Sequence, residues 1–261
     1  MSEISVIIPC FNGAATLARA LDSCLAQPEA TRILVVDDAS TDASASIVRV
    51  YALRDARVRL LQMPGNAGPA RARNWAALNT VAPLLAFLDA DDEYLPGALA
   101  AARAHLDAHP HEAVIRLDVD YAGFPARLTR HPQFAEFAAV LSNTVPSSLV
   151  IRRNVLLALG GFPTDELFRR YGGEDGALSW ALREIFGQRR LIDAKRVRMH
   201  WHTGIHAERF LNIQLGYTEA DPVANDATLR ASRAWLDNAR ASVQQLRALQ
   251  IAPDALNTPT R

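Results

Sequence analysis

Residues 84–99 read LLAFLDADDEYLPGAL. Leu84 to Leu88 is an unbroken apolar run of strand length that stops at Asp89, and Asp91 and Asp92 follow at once. A run with no polar alternation suits a strand buried on both faces. Pro96 suits the first turn of the next helix, predicted over Ala98 to Ala108. The order is therefore strand, acidic turn, helix.

Toward the N-terminus the same order repeats. Ile4 to Ile8 is a β-branched run closed by Pro9, and Leu17, Ala20, Leu21, Cys24 and Leu25 then lie on one helical face. Ile33 to Val36 predicts a second strand, stopped by Asp37-Asp38. Ser40, Thr41 and Asp42 are N-cap candidates for a helix carrying Ile47, Val50 and Tyr51. Val58 to Leu61 predicts a third strand, and Gly68-Pro69 opens a helix through Leu78. Buried strands separated by helices predict an α/β fold with a mostly parallel, Rossmann-like sheet and helices on both faces. Ligands of such sheets bind outside the carboxyl ends of the strands. That is where Asn12, Asp37, Asp38, Asp89, Asp91 and Asp92 fall.

Beyond residue 115 the pattern is less regular. Leu149 to Ile151 predicts a strand, Gly160-Gly161 a helix C-cap, and Glu174 the start of a helix through Ile185. Val197 to His202 alternates as a strand, with Val197, Met199 and Trp201 on one side and Arg198, His200 and His202 on the other. An Arg-studded helix is predicted from Ala227 to Leu249, its apolar face formed by Leu229, Trp235, Leu236, Val243 and Leu246, followed by a frayed tail from Pro253.

Composition removes several classes. The chain has 261 residues, is 49% hydrophobic and balances 28 basic against 28 acidic side chains, so general disorder and a nucleic-acid partner are not expected. Cys10 and Cys24 are too few for a disulfide framework and read as small core residues. Lys195 is the only lysine and lies outside any Gly-rich GK[ST] loop, which argues against a P-loop nucleotidase. The longest apolar run, Val81 to Leu88, is far short of a membrane span, and no basic leader precedes the first strand. A cytoplasmic protein is expected. Charge is uneven: residues 1–115 hold 9 basic and 13 acidic side chains, the remainder 19 and 15.

Like charges ~4 Å apart repel by about 4 kcal/mol at an effective dielectric of 20, so the acidic turns need an explanation. Asp42 reads as a helix cap, and Asp92 can be one too. A carboxylate pair for acid/base work is a second reading. A hard divalent cation bridging protein and phosphate oxygens is a third, and it is favoured because residues 89 and 91 of an extended stretch project to the same side.

Six blocks of sequence resemble a family 2 glycosyltransferase of the GT-A fold, in that family's order. They are VIIPCFNGAATLARAL (6–21), LVVDDASTDAS (34–44), NAGPARARN (66–74), FLDADDEYLPGAL (87–99), SSLVIRRNVLLALGGF (147–162) and GGEDGALSWALR (172–183). The resemblance implies that Pro9, Phe11, Asn12 and Asp37 meet the base and ribose of a nucleotide-sugar donor. By the same likeness Arg71 flanks its diphosphate and Asp89 lies near the ribose and the ion's water shell. It further implies a Mn²⁺ or Mg²⁺ ion held by Asp91 and by His202, with His200 as the alternative. Asp175 matches the base of inverting members, and Glu174 is its rival or an acceptor contact. His105, His109, His111 and His131 receive no role.

The implied reaction moves one sugar from a nucleotide-diphosphate donor, UDP-linked by preference, to a hydroxyl of a saccharide or lipid-linked saccharide. The implied organisation is a nucleotide-sugar-binding half (1–115), an acceptor and catalytic-base half of the same domain (116–215) and a C-terminal helical annex (216–261). Absence of a QxxRW block argues against a processive synthase. The Arg-rich helix suits a solvated face or peripheral contact with anionic lipid at the inner membrane surface. A non-catalytic sugar-nucleotide-binding module, a metal-independent hydrolase and a nucleotidyltransferase are the competing classes, separable by nucleoside diphosphate release.

Overall fold

A computed structural model describes residues 1–248. In chain order the elements are β1 (Ile4–Cys10), α1 (Leu17–Leu25), β2 (Ala30–Asp37), α2 (Ser44–Arg54), β3 (Val58–Gln62), α3 (Pro69–Leu78), β4 (Leu84–Phe87), β5 (Glu93–Tyr94) and α4 (Ala98–Ala108). Then come β6 (Val114–Ala122), α5 (Ala126–Thr129), α6 (Phe134–Ser142), a 3₁₀ turn (Pro146–Ser148), β7 (Leu149–Arg152) and α7 (Arg153–Ala158). The last described elements are α8 (Glu166–Tyr171), α9 (Glu174–Phe186), β8 (Arg189–His200), α10 (His206–Gln214) and α11 (Pro222–Ala248).

The strands form one sheet in the order β3-β2-β1-β4-β7-β6-β8-β5. Strands β1 to β4 pair in parallel, and β6 with β8 is parallel too. Both pairings of β7, and β5 with β8, are antiparallel. The period-two alternation of strands sorts side chains to two cores. From β1, β2 and β4, Val6, Ile8, Val35 and Ala86 join one core beneath α1, α2 and α4. Ile7, Leu34, Val36 and Phe87 join the other, against α3, α7, α9 and α11. Each of these large side chains stabilises the fold by about 1.5–3 kcal/mol on burial, so a one-residue slip of register would expose a whole row.

The chain leaves β1 toward β2 and returns from β3 to β4 on the other side, so β1 and β4 flank the point where strand order reverses. The carboxyl ends of these two strands define the crevice in which such sheets bind ligands.

Several expectations change. Pro9 does not end β1, which runs on to Cys10 with Pro9 opposite Val36. The proposed boundary at 115 falls inside β6, which the sequence hid because Arg116, Asp118 and Asp120 interrupt its pattern. Arg116 is fully buried and donates to the Thr144 and Val145 carbonyls and the Ser148 and Ser179 hydroxyls. Burial pushes its guanidinium down to about 9. β8 begins eight residues before the predicted strand, because pairing with β6 supports a stretch too polar to read as one. It stops at His200, and Trp201 turns outward to donate its indole N–H to Glu208 Oε2 at 2.9 Å. Leu229 of α11 is exposed, whereas Leu236 and Val243 are buried. The predicted tail from Pro253 lies outside the described residues. No described helix is long and apolar enough to cross a membrane.

Candidate active site

The loop after β1 is locked by its own polar side chains. Asn12 takes φ 52°, a left-handed conformation that asparagine tolerates better than most residues. Its N–H donates to Ser40 Oγ at 2.9 Å, and its Oδ1 accepts the Thr41 N–H at 2.8 Å, so the β1–α1 and β2–α2 loops are tied together. Phe11 beside it keeps half its surface exposed. Asp37 is buried at the end of β2, where it accepts the Ser40 N–H at 3.2 Å and the Gln62 amide at 3.4 Å. Asp38 accepts the N–H groups of Ala67 and Gly68, each at 2.7 Å, and so holds the turn that opens α3. Asp42 stands one residue before the N-cap of α2, Ala43, and not at the cap itself; it accepts the N–H groups of Ala14 and Ser44 and so ties the β1–α1 loop to the start of α2.

The acidic turn after β4 is organised around Ser147, from the 3₁₀ turn before β7. Its hydroxyl accepts the Asp89 N–H at 3.0 Å and donates to Asp92 Oδ2 at 2.6 Å. Asp92 is buried and caps no helix. Burial, with repulsion from Asp91 and Asp89, drives its carboxyl well above the usual range. Asp91 is the accessible member. Its Oδ2 lies 2.8 Å from His202 Nε2, and its backbone carbonyl accepts from Arg19 on α1. The two are 111 residues apart in sequence. They meet because β8 ends at His200 and the turn beyond it carries His202 back over β4. His200 points instead to Glu93 Oε1, 3.3 Å away on β5. Burial works against the charged His202 imidazole, but the bond to Asp91 and the Thr203 carbonyl outweigh it and raise its pKa. One carboxylate oxygen and one imidazole nitrogen thus face each other over a proton, a donor pair of the kind that can hold a divalent cation.

A second group lies against the first. Arg73 of α3 is 5% exposed, with Nη2 2.7 Å from Asp89 Oδ1 and Nη1 3.6 Å from Glu174 Oε1. Its guanidinium carbon stands 5.2 Å from the ring centroid of Phe162, which meets Phe87 edge-on at 5.2 Å. Burial opposes its charge, and Asp89, Glu174 and Asp175 more than restore it. Nε and Nη1 have no hydrogen-bond partner among the described residues. Arg71, which the resemblance placed beside the donor diphosphate, donates to the Thr164 carbonyl at 3.1 Å and lies 3.6 Å from Glu166. The signal for Arg73 was present: it shares the small-residue face of α3 with Ala76 and Ala77, the face that a helix buries.

Glu174 and Asp175 open α9 behind Gly173 at φ 99°, where a Cβ would come within 2.8 Å of Thr228 Cγ2 of α11. Only glycine fits there, and α11 thereby fixes how α9 presents its first turn. Asp175 Oδ1 accepts the Gly176 N–H at 2.7 Å. Burial first, then the Glu174 charge, push its carboxyl up to about 6, against the pull of Gly176 and Arg73. A carboxyl at that value is ionised near neutrality and basic enough to take a proton. The site therefore joins an exposed carboxylate–imidazole pair, a buried cation holding Asp89, and a tuned carboxylate beside them.

A strand-order switch, an acidic turn and a carboxylate with a raised pKa thus meet at one crevice of the α/β sheet. Comparison with known proteins agrees: the family described as Glycosyl transferase family 2 matches residues 5–159, more than half of the chain. The chain belongs to glycosyl transferase family 2. It is 44% identical over 98 residues to the succinoglycan biosynthesis protein ExoU of Rhizobium meliloti, covering 38% of this chain and 29% of that one. It is 33% identical over 155 residues to ExoO of the same organism, covering 59% and 43%. The chain thus matches less than half the length of either relative. Among solved structures, TarS of S. aureus in complex with UDP has a TM-score of 0.63 at 20% identity, over 87% of this chain and 69% of that one. The mannosyltransferase PcManGT of Pyrobaculum calidifontis, in complex with GDP-Man and Mn²⁺, has a TM-score of 0.62 at 22% identity, over 97% and 77%. These likenesses establish the GT-A fold.

Proposed function

We propose that the chain is a metal-dependent, inverting glycosyltransferase that moves one sugar from a nucleotide-diphosphate donor to an acceptor hydroxyl. The observation that carries this reading is the meeting of Asp91 and His202 at 2.8 Å at the mouth of the strand-order switch. Phe11, with its exposed ring, Asn12 and Asp37 form the base and ribose side, and Pro9 backs them from within the sheet. Asp91 and His202 would hold a Mn²⁺ or Mg²⁺ ion, which supplies Lewis-acid charge to the diphosphate leaving group. The solved neighbour with GDP-Man and Mn²⁺ is consistent with that use. Binding there requires His202 to give up the proton it shares with Asp91.

Asp175 takes the proton of the acceptor hydroxyl as that oxygen attacks the anomeric carbon from the face opposite the departing diphosphate, which inverts the centre. General-base assistance of about 10²–10⁴-fold corresponds to roughly 3–5 kcal/mol of barrier. Arg73 keeps Asp89 in place through Nη2 and sets its Nη1 beside Glu174. Glu174, held by Arg73 and next to Asp175, borders the acceptor. A UDP-sugar donor and a saccharide or lipid-linked saccharide acceptor at the inner membrane surface fit the likeness to polysaccharide biosynthesis proteins.

The test is nucleoside diphosphate release from a panel of UDP-, GDP- and other nucleotide-linked sugars, with and without acceptor saccharides. One donor should be turned over, EDTA should silence the reaction and Mn²⁺ should restore it. Turnover unaffected by EDTA, or donor binding with neither transfer nor hydrolysis, would overturn the assignment.

A further inference from the structure

At the amino end of β6, the strand end opposite the donor crevice, α4 ends in a cluster that the proposed reaction does not use. His105 lies in the last turn of α4, His109 directly after it, and Glu112 in the turn that leads to β6. One potential ligand atom from each lies within 4.8 Å of the other two. The two imidazoles are stacked, centroids 4.2 Å apart and planes 20° from parallel. His105 Nε2 is 2.7 Å from Glu112 Oε2, and His109 Nδ1 is 2.8 Å from the His105 carbonyl oxygen. A carbonyl only accepts, so Nδ1 of His109 bears the proton and its Nε2 carries a free lone pair.

From this geometry we propose a second metal site, formed by His105, His109 and Glu112, that takes a borderline divalent ion of the zinc class. Two imidazoles and one carboxylate select Zn²⁺, Co²⁺ or Ni²⁺ over the oxygen-seeking Mg²⁺, and three protein ligands leave a fourth position for water. The His109 Nδ1–carbonyl bond sets the tautomer of a metal-binding imidazole, and the ring swings out of its stack on His105 to bring Nε2 to the ion. The ion takes the place of the proton that His105 shares with Glu112, and that proton leaves to solvent.

The backbone under the cluster is already fixed. Arg152 of β7 donates from Nε to the Glu112 carbonyl at 2.9 Å and from Nη2 to those of Leu106 and His109 at 2.7 and 3.1 Å. It thereby pins the last turn of α4, the following loop and the entry to β6 to one another. Arg189 Nε approaches the other Glu112 oxygen, Oε1, at 3.5 Å, so Oε2 stays directed at His105. Both arginines repel a cation, which lowers affinity without blocking the ligand atoms. The site clamps α4 to β6, and through β6 to β7 and β8. Its effect is on stability and not on the chemistry at Asp91 and Asp175.

Co²⁺ is the probe, titrated into the untagged full chain and followed by its visible ligand-field absorption. A His202→Ala background removes the imidazole beside Asp91. We expect one equivalent of tetrahedral cobalt in that background, displaced by Zn²⁺, with a higher melting temperature when Zn²⁺ is bound. His109→Ala, at an exposed position, should weaken binding by about a hundredfold or more, beyond the 10–100-fold that outer contacts cost. It should fold normally and keep the Mn²⁺-dependent turnover of the unsubstituted protein. No cobalt spectrum in the His202→Ala chain, or unchanged affinity in His109→Ala, would overturn the site. Cobalt binding lost only with His202 would place the ion in the donor crevice and equally refute it.

Discussion

Asp175→Asn should make the protein more stable in mildly alkaline solution while removing transfer. In the folded chain the Asp175 carboxyl is pushed up from 3.8 to about 6, by burial first and by Glu174 second. The native state therefore holds this proton more tightly than the unfolded chain, and ionising the group costs native stability. At 1.36 kcal/mol per pH unit, the rise to about 6 amounts to about 3 kcal/mol. A raised carboxyl has a definite sign: the penalty is absent well below pH 4, grows between about 4 and 6, and is complete above about 6. Asparagine is isosteric, still accepts the Gly176 N–H and carries no charge. The variant should thus gain up to about 3 kcal/mol at pH 8 and only a small fraction of that at pH 4. At roughly 2–4 °C per kcal/mol, the gain at pH 8 is a melting-temperature rise of several degrees. Paired thermal melts at the two pH values measure it, alongside donor binding and nucleoside diphosphate release. Donor binding should persist and transfer should fall by about 10²–10⁴-fold. An equal change at both pH values, or a variant less stable than the unsubstituted protein at pH 8, would refute the electrostatic reasoning. Undiminished transfer would refute the base.

The same carboxyl predicts that kcat/KM falls about tenfold per pH unit below about 6; a profile flat from pH 7 to 4.5 contradicts it. Arg73→Met leaves Asp89, Glu174 and Asp175 without their buried cation, and should cost about 3–5 kcal/mol in urea unfolding; a loss below about 1 kcal/mol would show that the carboxylates do not depend on it. Ser147→Ala strands Asp92 Oδ2 and the Asp89 N–H together, so about 1–3 kcal/mol of stability and tight Mn²⁺ binding should be lost; calorimetric Mn²⁺ titration checks this. Gly161→Ala sets a Cβ 2.4 Å from Asn74 Oδ1 at φ +85°, and should destabilise by more than the 1–2 kcal/mol of left-handed strain alone, read from its melting temperature.

The first half of the fold was legible because its signals are local. The cores of β1, β2 and β4 are apolar runs, and α1 shows its buried face as Leu17, Ala20, Leu21 and Cys24. Such patterns report burial directly, since a strand hidden on both faces must be apolar throughout. β6 and the start of β8 were not legible. Arg116 sits in the core only because the Thr144 and Val145 carbonyls and two serine hydroxyls converge on it from distant segments. No local pattern announces that a charge will be so satisfied.

The candidate site divides the same way. The sequence alone determined which carboxylates stand at the strand ends, because strand ends are settled by residues a few positions apart. Tertiary structure decided that Arg73 and not Arg71 reaches Asp89, that His202 and not His200 meets Asp91, and that Asp92 is tied to Ser147. In each case candidates of similar chemistry lie within a few residues, and the choice rests on how a helix is rotated or where a strand stops. Those are set by packing over the whole sheet: by α11 against Gly173, by Phe162 beneath Arg73, and by the pairing of β8 with β6. A charge finds its partner at 3 Å, and only the assembled core brings groups separated by scores of residues to that distance.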